Sequence, residues 1–245
     1  MRGVWICILM IAASGFVHAG ESLLDFAEKG NVTAVKKALA AGADVNMTSP
    51  QGQTALMIAA FQNDTATLKI LLQAGANVEA GDNINGATAL CYAAHSGAFD
   101  TGKLLIAARA NLNVRTSDGL TPLILTTSRE RSLPQHEVMA ELLIQAGAIV
   151  SRSGRGGNTP LMHATSNGML RIVELLVANG APVDAINDRG ETALMFAKAY
   201  NQKEIESFLT ERSPAAKVAQ CRAKAAKLRQ QCGYCGGKGH VTNYN

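Results

Sequence analysis

The chain has 245 residues, 47% of them hydrophobic and only 4% aromatic, with 23 glycines and a formal charge of +4. That length fits one large domain or a repeat array, and the scarcity of aromatics beside abundant Ala and Gly suits close helix packing more than a compact β-sandwich. The charge is uneven: from Glu211 onward seven Lys or Arg stand against one acid, a net +6, so residues 1–210 carry −2 of the total +4. The body is mildly acidic and the basicity belongs to a tail.

In chain order, the first element reads as an export leader. Arg2 precedes the apolar run from Val4 to Val17, and Val17-His18-Ala19 places small residues where a signal peptidase cuts, after Ala19. The run is short of the ~20 apolar residues that a bilayer-spanning helix needs, so cleavage is expected rather than an uncleaved anchor. The expected domains are residues 1–19 as signal peptide, 20–212 as repeat body and 213–245 as a basic, Cys-containing extension.

The body carries two words in one phase. Thr54-Ala-Leu56, Thr88-Ala-Leu90, Thr121-Pro-Leu123, Thr159-Pro-Leu161 and Thr192-Ala-Leu194 recur at spacings of 34, 33, 38 and 33. Between them lie LAAGADVN, LQAGANVE, IAARANLN, IQAGAIVS and VANGAPVD. Each Thr can cap a helix start, and Pro122 and Pro160 fall in a first turn where no donor is lost. Leu71-Leu72, Leu104-Leu105, Leu142-Leu143 and Leu175-Leu176 supply the apolar stripe of a second helix. Gly42, Gly75, Gly147 and Gly180 stop that helix at residues free to take positive φ, whereas Arg109 replaces the expected glycine in the third unit.

These words resemble the ankyrin repeat, and the resemblance covers residues 21 to about 210. It implies an all-α solenoid of helix-turn-helix-finger units, here six, with Ser22 to Asn46 as an N-terminal cap and Gly190 to Thr210 as a polar C-terminal cap. The fourth unit has extra residues, placed by the pattern in SRERSLPQHE between its two helices, and a tolerated surface loop is expected there.

Catalysis is not expected in the body. His95, His136 and His163 fall in different units and read as structural or surface residues, and Cys91 stands where other units carry Met57, Ile124, Met162 and Met195, as a buried filler. No nucleophile elbow, zinc-protease helix or phosphate loop occurs. By the resemblance, finger tips and the exposed side of the first helices form a concave groove that grips a partner protein. The candidate tip residues are Asp82, Asn83, Asp118, Arg152, Arg155 and Arg189. The candidate first-helix residues are Phe61, Tyr92, His95, Asn167, Phe196 and Tyr200, since aromatic and Arg side chains are the usual anchors of interfaces. No nucleic-acid partner is expected, nor an integral membrane segment once the leader is removed. Sequons at Asn31, Asn46 and Asn63 would mean glycosylation only in a eukaryotic host.

After Ser213-Pro214 the tail has strong helix propensity up to Gly233, with basic residues on several sides, and weak contact with acidic surfaces is expected of it. CGYCGGKGH (residues 232–240) resembles both the C-x-x-C-x-G-x-G unit of DnaJ-type chaperones and part of a CCHC zinc knuckle. Cys232, Cys235 and His240 make three zinc ligands where a structural site takes four. An exported chain favours instead a disulfide, Cys232 with Cys235 or one involving Cys221, and a catalytic redox pair is the weakest reading. No other cofactor is expected. The function read from the sequence is non-enzymatic protein binding by an exported scaffold, with the periplasm as destination by resemblance to small exported bacterial ankyrin proteins. Two rivals stay open: a metal- or redox-responsive accessory protein acting through the tail, and an envelope tether.

Overall fold

The computed structural model describes residues 21–127 and 134–213. The segment expected as a signal peptide, the stretch expected as a basic helix, and Cys221, Cys232, Cys235 and His240 lie outside them. Among the described residues there are twelve α-helices in six consecutive pairs. They are α1 (Leu23–Glu28) with α2 (Val32–Ala40), α3 (Ala55–Phe61) with α4 (Thr65–Gln73), and α5 (Ala89–Ser96) with α6 (Phe99–Ala107). Then follow α7 (Pro122–Thr127) with α8 (Pro134–Gln145), α9 (Pro160–Ser166) with α10 (Leu170–Ala178), and α11 (Ala193–Ala199) with α12 (Lys203–Arg212). Odd-numbered helices pack on one another in order as an inner row, and even-numbered helices form an outer row behind them. The fold is the all-α repeat solenoid the sequence implied.

Helices this short are marginal alone, so stacking must hold them. The second residue after each repeated Thr is the peg: Leu56, Leu90, Leu123 and Leu161 are at most 1% exposed. Ala59, Ala60, Ala93 and Ala94 are fully buried between inner helices, where a longer side chain would hold neighbours apart. Leu68, Leu71, Leu105, Leu143 and Leu176 close the core from the outer row. Each such leucine contributes about 1.5–3 kcal/mol on burial.

Capping follows the repeated Thr. The hydroxyls of Thr54, Thr159 and Thr192 each accept from the amide three residues on, at 3.3 Å, and Thr121 accepts from Ile124 at 3.2 Å. Where that third residue is Met, its sulfur accepts in return from the Thr amide at 3.4–3.5 Å, a thioether version of the capping box. Thr88 departs from the expectation. Its hydroxyl makes no cap bond and donates instead to Cys91 Sγ at 3.7 Å, and burial pushes that thiol up.

Neighbouring units are also laced by polar bonds. The amides of Asn77, Asn111 and Ile149 donate to Asn46 Oδ1, Glu79 Oε1 and Asn113 Oδ1 of the preceding unit, at 2.7, 2.7 and 2.9 Å. The fingers join through Asn83 N to Gln51 O, Ser117 N to Asn85 O, and Asp188 N to Gly156 O. All three sequon asparagines are employed here: Asn31 Oδ1 caps α2 through the Ala34 amide, Asn46 serves the ladder, and Asn63 Oδ1 accepts from Thr101 N at 3.1 Å.

Two expectations change. Arg109 takes φ +62°, and its amide and that of Ala110 bond back to Ile106 O and Leu105 O as at Gly75 and Ala76, so the third unit keeps the common turn. The extra residues of the fourth unit do not all lie between helices. Pro134 to Glu137 belong to α8, which at 12 residues is three longer than the outer helices α2, α4, α6 and α10. His136 on that extension is fully buried, its Nε2 3.2 Å from the His95 carbonyl. A proline in the first turn extends the helix toward its start without losing a donor.

Candidate functional site

A groove of about 640 Å3 opens at the first end of the array, between α1, the first finger and the inner helices α3 and α5. Its apolar lining is Leu24, Pro50, Ile58, Phe61 and the ring of Tyr92. The stacking geometry places them there. The residue four after each repeated Thr faces along the inner row: Ile58, Tyr92, Leu125, His163 and Phe196. The residue seven after adds Phe61 and His95 on α3 and α5. Phe61 meets Tyr92 edge-on, with centroids 6.4 Å apart and planes at 82°, and lies near-parallel to His95 at 6.4 Å. Rings held in such pairs are stiff, and ordering them on binding costs little.

The floor is fixed from behind. Tyr92 is 5% exposed, and its hydroxyl donates to Asp82 Oδ2 at 2.7 Å while accepting from Gln53 Nε2 at 3.0 Å. Burial, with the neighbouring carboxylate, raises the Tyr92 hydroxyl above its ordinary range, so it stays protonated and donates. Asp82 Oδ1 in turn accepts from the amides of Ile84, Asn85, Gly86 and Ala87, at 2.8–3.3 Å. Asp82 was expected as a tip contact for a partner. Instead it is 7% exposed and its carboxylate is consumed inside the second finger.

Of the other candidates, Phe61, Tyr92 and His95 come together at this groove. Phe196 and Tyr200 form a second cluster at the far end, stacked 6.2 Å apart and 4° from parallel. They line a hollow of about 480 Å3 with Arg189, Glu191, Met195 and Ala199, and Met195 and Tyr200 are more than half exposed. Asn83 and Arg189 are exposed on the fingers, and Arg155 pairs with Asp118 at 3.8 Å. Arg152 is turned back, its Nη1 donating to Asn113 O at 3.0 Å, and Asn167 donates to Thr127 O at 2.8 Å. Leu24, Ile58, Gln53 and Glu28 of the groove, and Ile186 and Met195 at the far end, were not foreseen. The phase of Ile58, four after Thr54, was the available signal.

The half-buried His163 sits in the same row, and burial lowers its imidazole below its ordinary value. Among the described residues no group of three or more His, Cys, Asp or Glu side chains could hold a metal ion, and no helix is long and apolar enough to cross a membrane. What the arrangement offers is an apolar, aromatic hollow with polar edges, suited to non-covalent recognition.

The comparisons agree with this geometry. A family model described as ankyrin repeats matches in three copies, over residues 9–116, 100–187 and 135–221. The chain is 31% identical over 188 residues to the ankyrin repeat and KH domain-containing protein mask-1 of Caenorhabditis elegans, covering 74% of this chain but 7% of that one. It is 31% identical over 163 residues to the human ankyrin repeat and SOCS box protein 16, covering 65% of this chain and 36% of the relative. It therefore spans a minor part of both relatives. The putative ankyrin repeat protein YahD of Escherichia coli is 28% identical over 190 residues, 75% of this chain and 91% of that one. Among solved structures, one described as the Bd0816 predatory endopeptidase from Bdellovibrio bacteriovorus in complex with immunity protein Bd3460 matches at TM-score 0.70 and 26% identity. The match covers 80% of this chain and all of the matched one. Six stacked helix pairs, the repeated Thr caps and the matches along the chain have one explanation: this chain belongs to the ankyrin repeat family.

Proposed function

We propose that this protein is an exported, non-enzymatic scaffold that binds a partner protein through its fingers and inner helices. The observation that carries the reading is the aromatic groove. Phe61 packs against two rings of α5, and the hydroxyl of the Tyr92 floor is satisfied from behind, so a partner meets pre-ordered apolar surface. Ankyrin repeats are protein-interaction modules, which supports the reading in general form. Export rests on the leader pattern before Ala19, and the periplasm is its proposed destination.

The experiment is crosslinking capture in the native envelope with the full chain, compared with Phe61→Ala and with Phe196→Ala. Loss of one defined partner in Phe61→Ala, with the fold intact by circular dichroism, supports the groove. Retention of that partner in both variants removes it. A Cys232→Ser chain in the same assay tests the rival in which a metal- or redox-responsive tail carries the function. Salt-sensitive liposome binding tests the envelope tether.

One observation favours a narrower reading. The structural neighbour comes from a complex of an endopeptidase with an immunity protein. Taking the matched chain to be the immunity protein, we infer that the partner is an endopeptidase that this chain holds in check. One equivalent of the chain should then suppress peptide-bond cleavage by the captured enzyme, and unchanged turnover would discard this reading while leaving protein binding in place.

A further inference from the structure

The groove has a charge as well as a shape. Its charged lining residues are Asp25 and Glu28, both on α1. Asp25 closes the capping box of α1, accepting from Ser22 N and Oγ at 2.7 Å, and those bonds hold its carboxyl below the usual range, so it is ionised at neutral pH. Glu28 is exposed and makes no ion pair among the described residues; its backbone carbonyl accepts from Gln62 Nε2 at 2.8 Å, which ties α1 to α3 beside the groove. The nearest cation, Lys29, is engaged by Glu21. Behind the floor stands a third carboxylate, Asp82, which takes the Tyr92 hydroxyl. The first finger from Thr48 to Gln53 and the inner helices α3 and α5 bring no Lys or Arg to this groove, and the titratable rings at it are Tyr92, whose hydroxyl stays protonated, and His95. On the later fingers both signs occur: Arg115, Arg155 and Arg189 are exposed among Asp118, Asp184, Asp188 and Glu191.

We infer that the groove is specific for a loop of a partner protein that sets one large apolar side chain next to a lysine or arginine. This rests on the protein-binding reading above and adds the chemistry of the segment bound. The apolar side chain seats between Leu24, Ile58 and Phe61, and the neighbouring cation meets Glu28 at the rim, with Asp25 adding to the field. A carboxylate at the same place would face like charges, with no Lys or Arg in the lining and the adjacent Lys29 held mainly by Glu21.

The test uses the full chain and three fluorescent heptapeptides: Phe flanked by Lys, Phe flanked by Glu, and Ala flanked by Lys, read by polarisation. The Lys–Phe peptide should bind roughly three- to tenfold tighter than the Glu–Phe peptide at low salt, a margin that shrinks at ~0.5 M salt. The Lys–Ala peptide should lose most of the affinity. Glu28→Lys, at an exposed position that leaves the melting curve unchanged, should erase or reverse the preference between Lys and Glu. Equal binding of the two Phe peptides, absence of binding by all three, or indifference to Glu28→Lys overturns the inference. A photo-crosslinking side chain at position 61 that captures residues 211–245 of the same chain also overturns it, the occupant then being this protein's own basic segment. The two levels separate cleanly. If Phe61→Ala loses the captured partner while Glu28→Lys keeps it at full yield, the charge rule falls and protein binding stands; if neither variant matters, the groove itself is the wrong surface.

Discussion

Replacing Tyr92 by Phe removes one oxygen and leaves the ring that floors the groove. In the native fold that oxygen is the donor to Asp82 Oδ2 at 2.7 Å and the acceptor of Gln53 Nε2 at 3.0 Å. All three residues are at most 9% exposed, so water cannot simply take over. The carboxylate keeps its four amide donors on Oδ1 and loses the hydroxyl on Oδ2, while Gln53 loses the acceptor it reaches from the first finger. A hydrogen bond to a charged group is worth about 1.5–3 kcal/mol, and a buried donor left without its partner adds to the loss, so Tyr92→Phe should destabilise the array by about 2–3 kcal/mol. For a chain of this size that corresponds to a fall in Tm of about 4–12 °C, read by circular dichroism and cross-checked in urea. A cycle with Gln53→Met sharpens the assay. Both changes delete the same Gln53–Tyr92 bond, so the double variant should cost at least about 0.5 kcal/mol less than the sum of the singles. A Tyr92→Phe chain within 0.5 kcal/mol of the parent, or strictly additive singles, would refute the claim that this triad ties the first two fingers to the floor of the groove.

Three further outcomes are expected. Gly52 has φ +77°, and a Cβ there would fall 2.5 Å from the Asn83 amide, which bonds Gln51; Gly52→Ala should cost about 2 kcal/mol or more in urea unfolding. Arg109 holds φ +62° in the place of a glycine, so Arg109→Gly should stabilise by about 0.5–1 kcal/mol, the relief of left-handed strain exceeding the added freedom of the unfolded chain. Burial lowers the folded-state pKa of His163, so below its unfolded value near 6.5 the unfolded chain binds the extra proton and stability falls as pH drops from 7 to 5. His163→Gln should flatten that part of the pH profile of Tm, and an unchanged slope would assign the loss to other groups.

Much of the scaffold was legible because its signals are backbone requirements. A helix start needs a side-chain acceptor and a helix end needs positive φ, so Thr and Gly recur in phase, and Gly42, Gly75, Gly147 and Gly180 all take φ between +84° and +95°. Asp82 shows where that logic stops. Its finger runs one residue longer than the others from the Val of the finger word to the next Thr, Val78 to Thr88. The longer turn leaves four amides converging on one point, and an inward carboxylate satisfies them. Phase alone marks such a residue as a tip; only the turn geometry decides which way its side chain faces. The start of α8 had a local signal, Pro134 followed by helix formers, which spacing arguments outweighed.

The groove is legible for the opposite reason to the scaffold. Position four after the repeated Thr is filled by Ile58, Tyr92, Leu125, His163 and Phe196, five different side chains in one structural place, while position two is leucine at Leu56, Leu90, Leu123, Leu161 and Leu194. Position two is enclosed between helices at Leu56, Leu90, Leu123 and Leu161, where volume is held to within about a methylene, and is partly exposed only at Leu194 in the terminal unit. Position four faces along the inner row, partly exposed at Ile58, His163 and Phe196 and buried at Tyr92 and Leu125, and its chemistry varies from one unit to the next. Recurrence therefore marks the pegs of the core, and the side chains that reach the groove come from places where the residue varies. The variable positions at the first end of the array gather Ile58, Phe61 and Tyr92 beside Asp25 and Glu28, while those at the far end gather Phe196 and Tyr200 beside Arg189. A uniform stack thus ends in two unlike surfaces, one with two carboxylates at its rim and one that sets Arg189 and Glu191 around a stacked ring pair, so a bound protein meets different chemistry at each end.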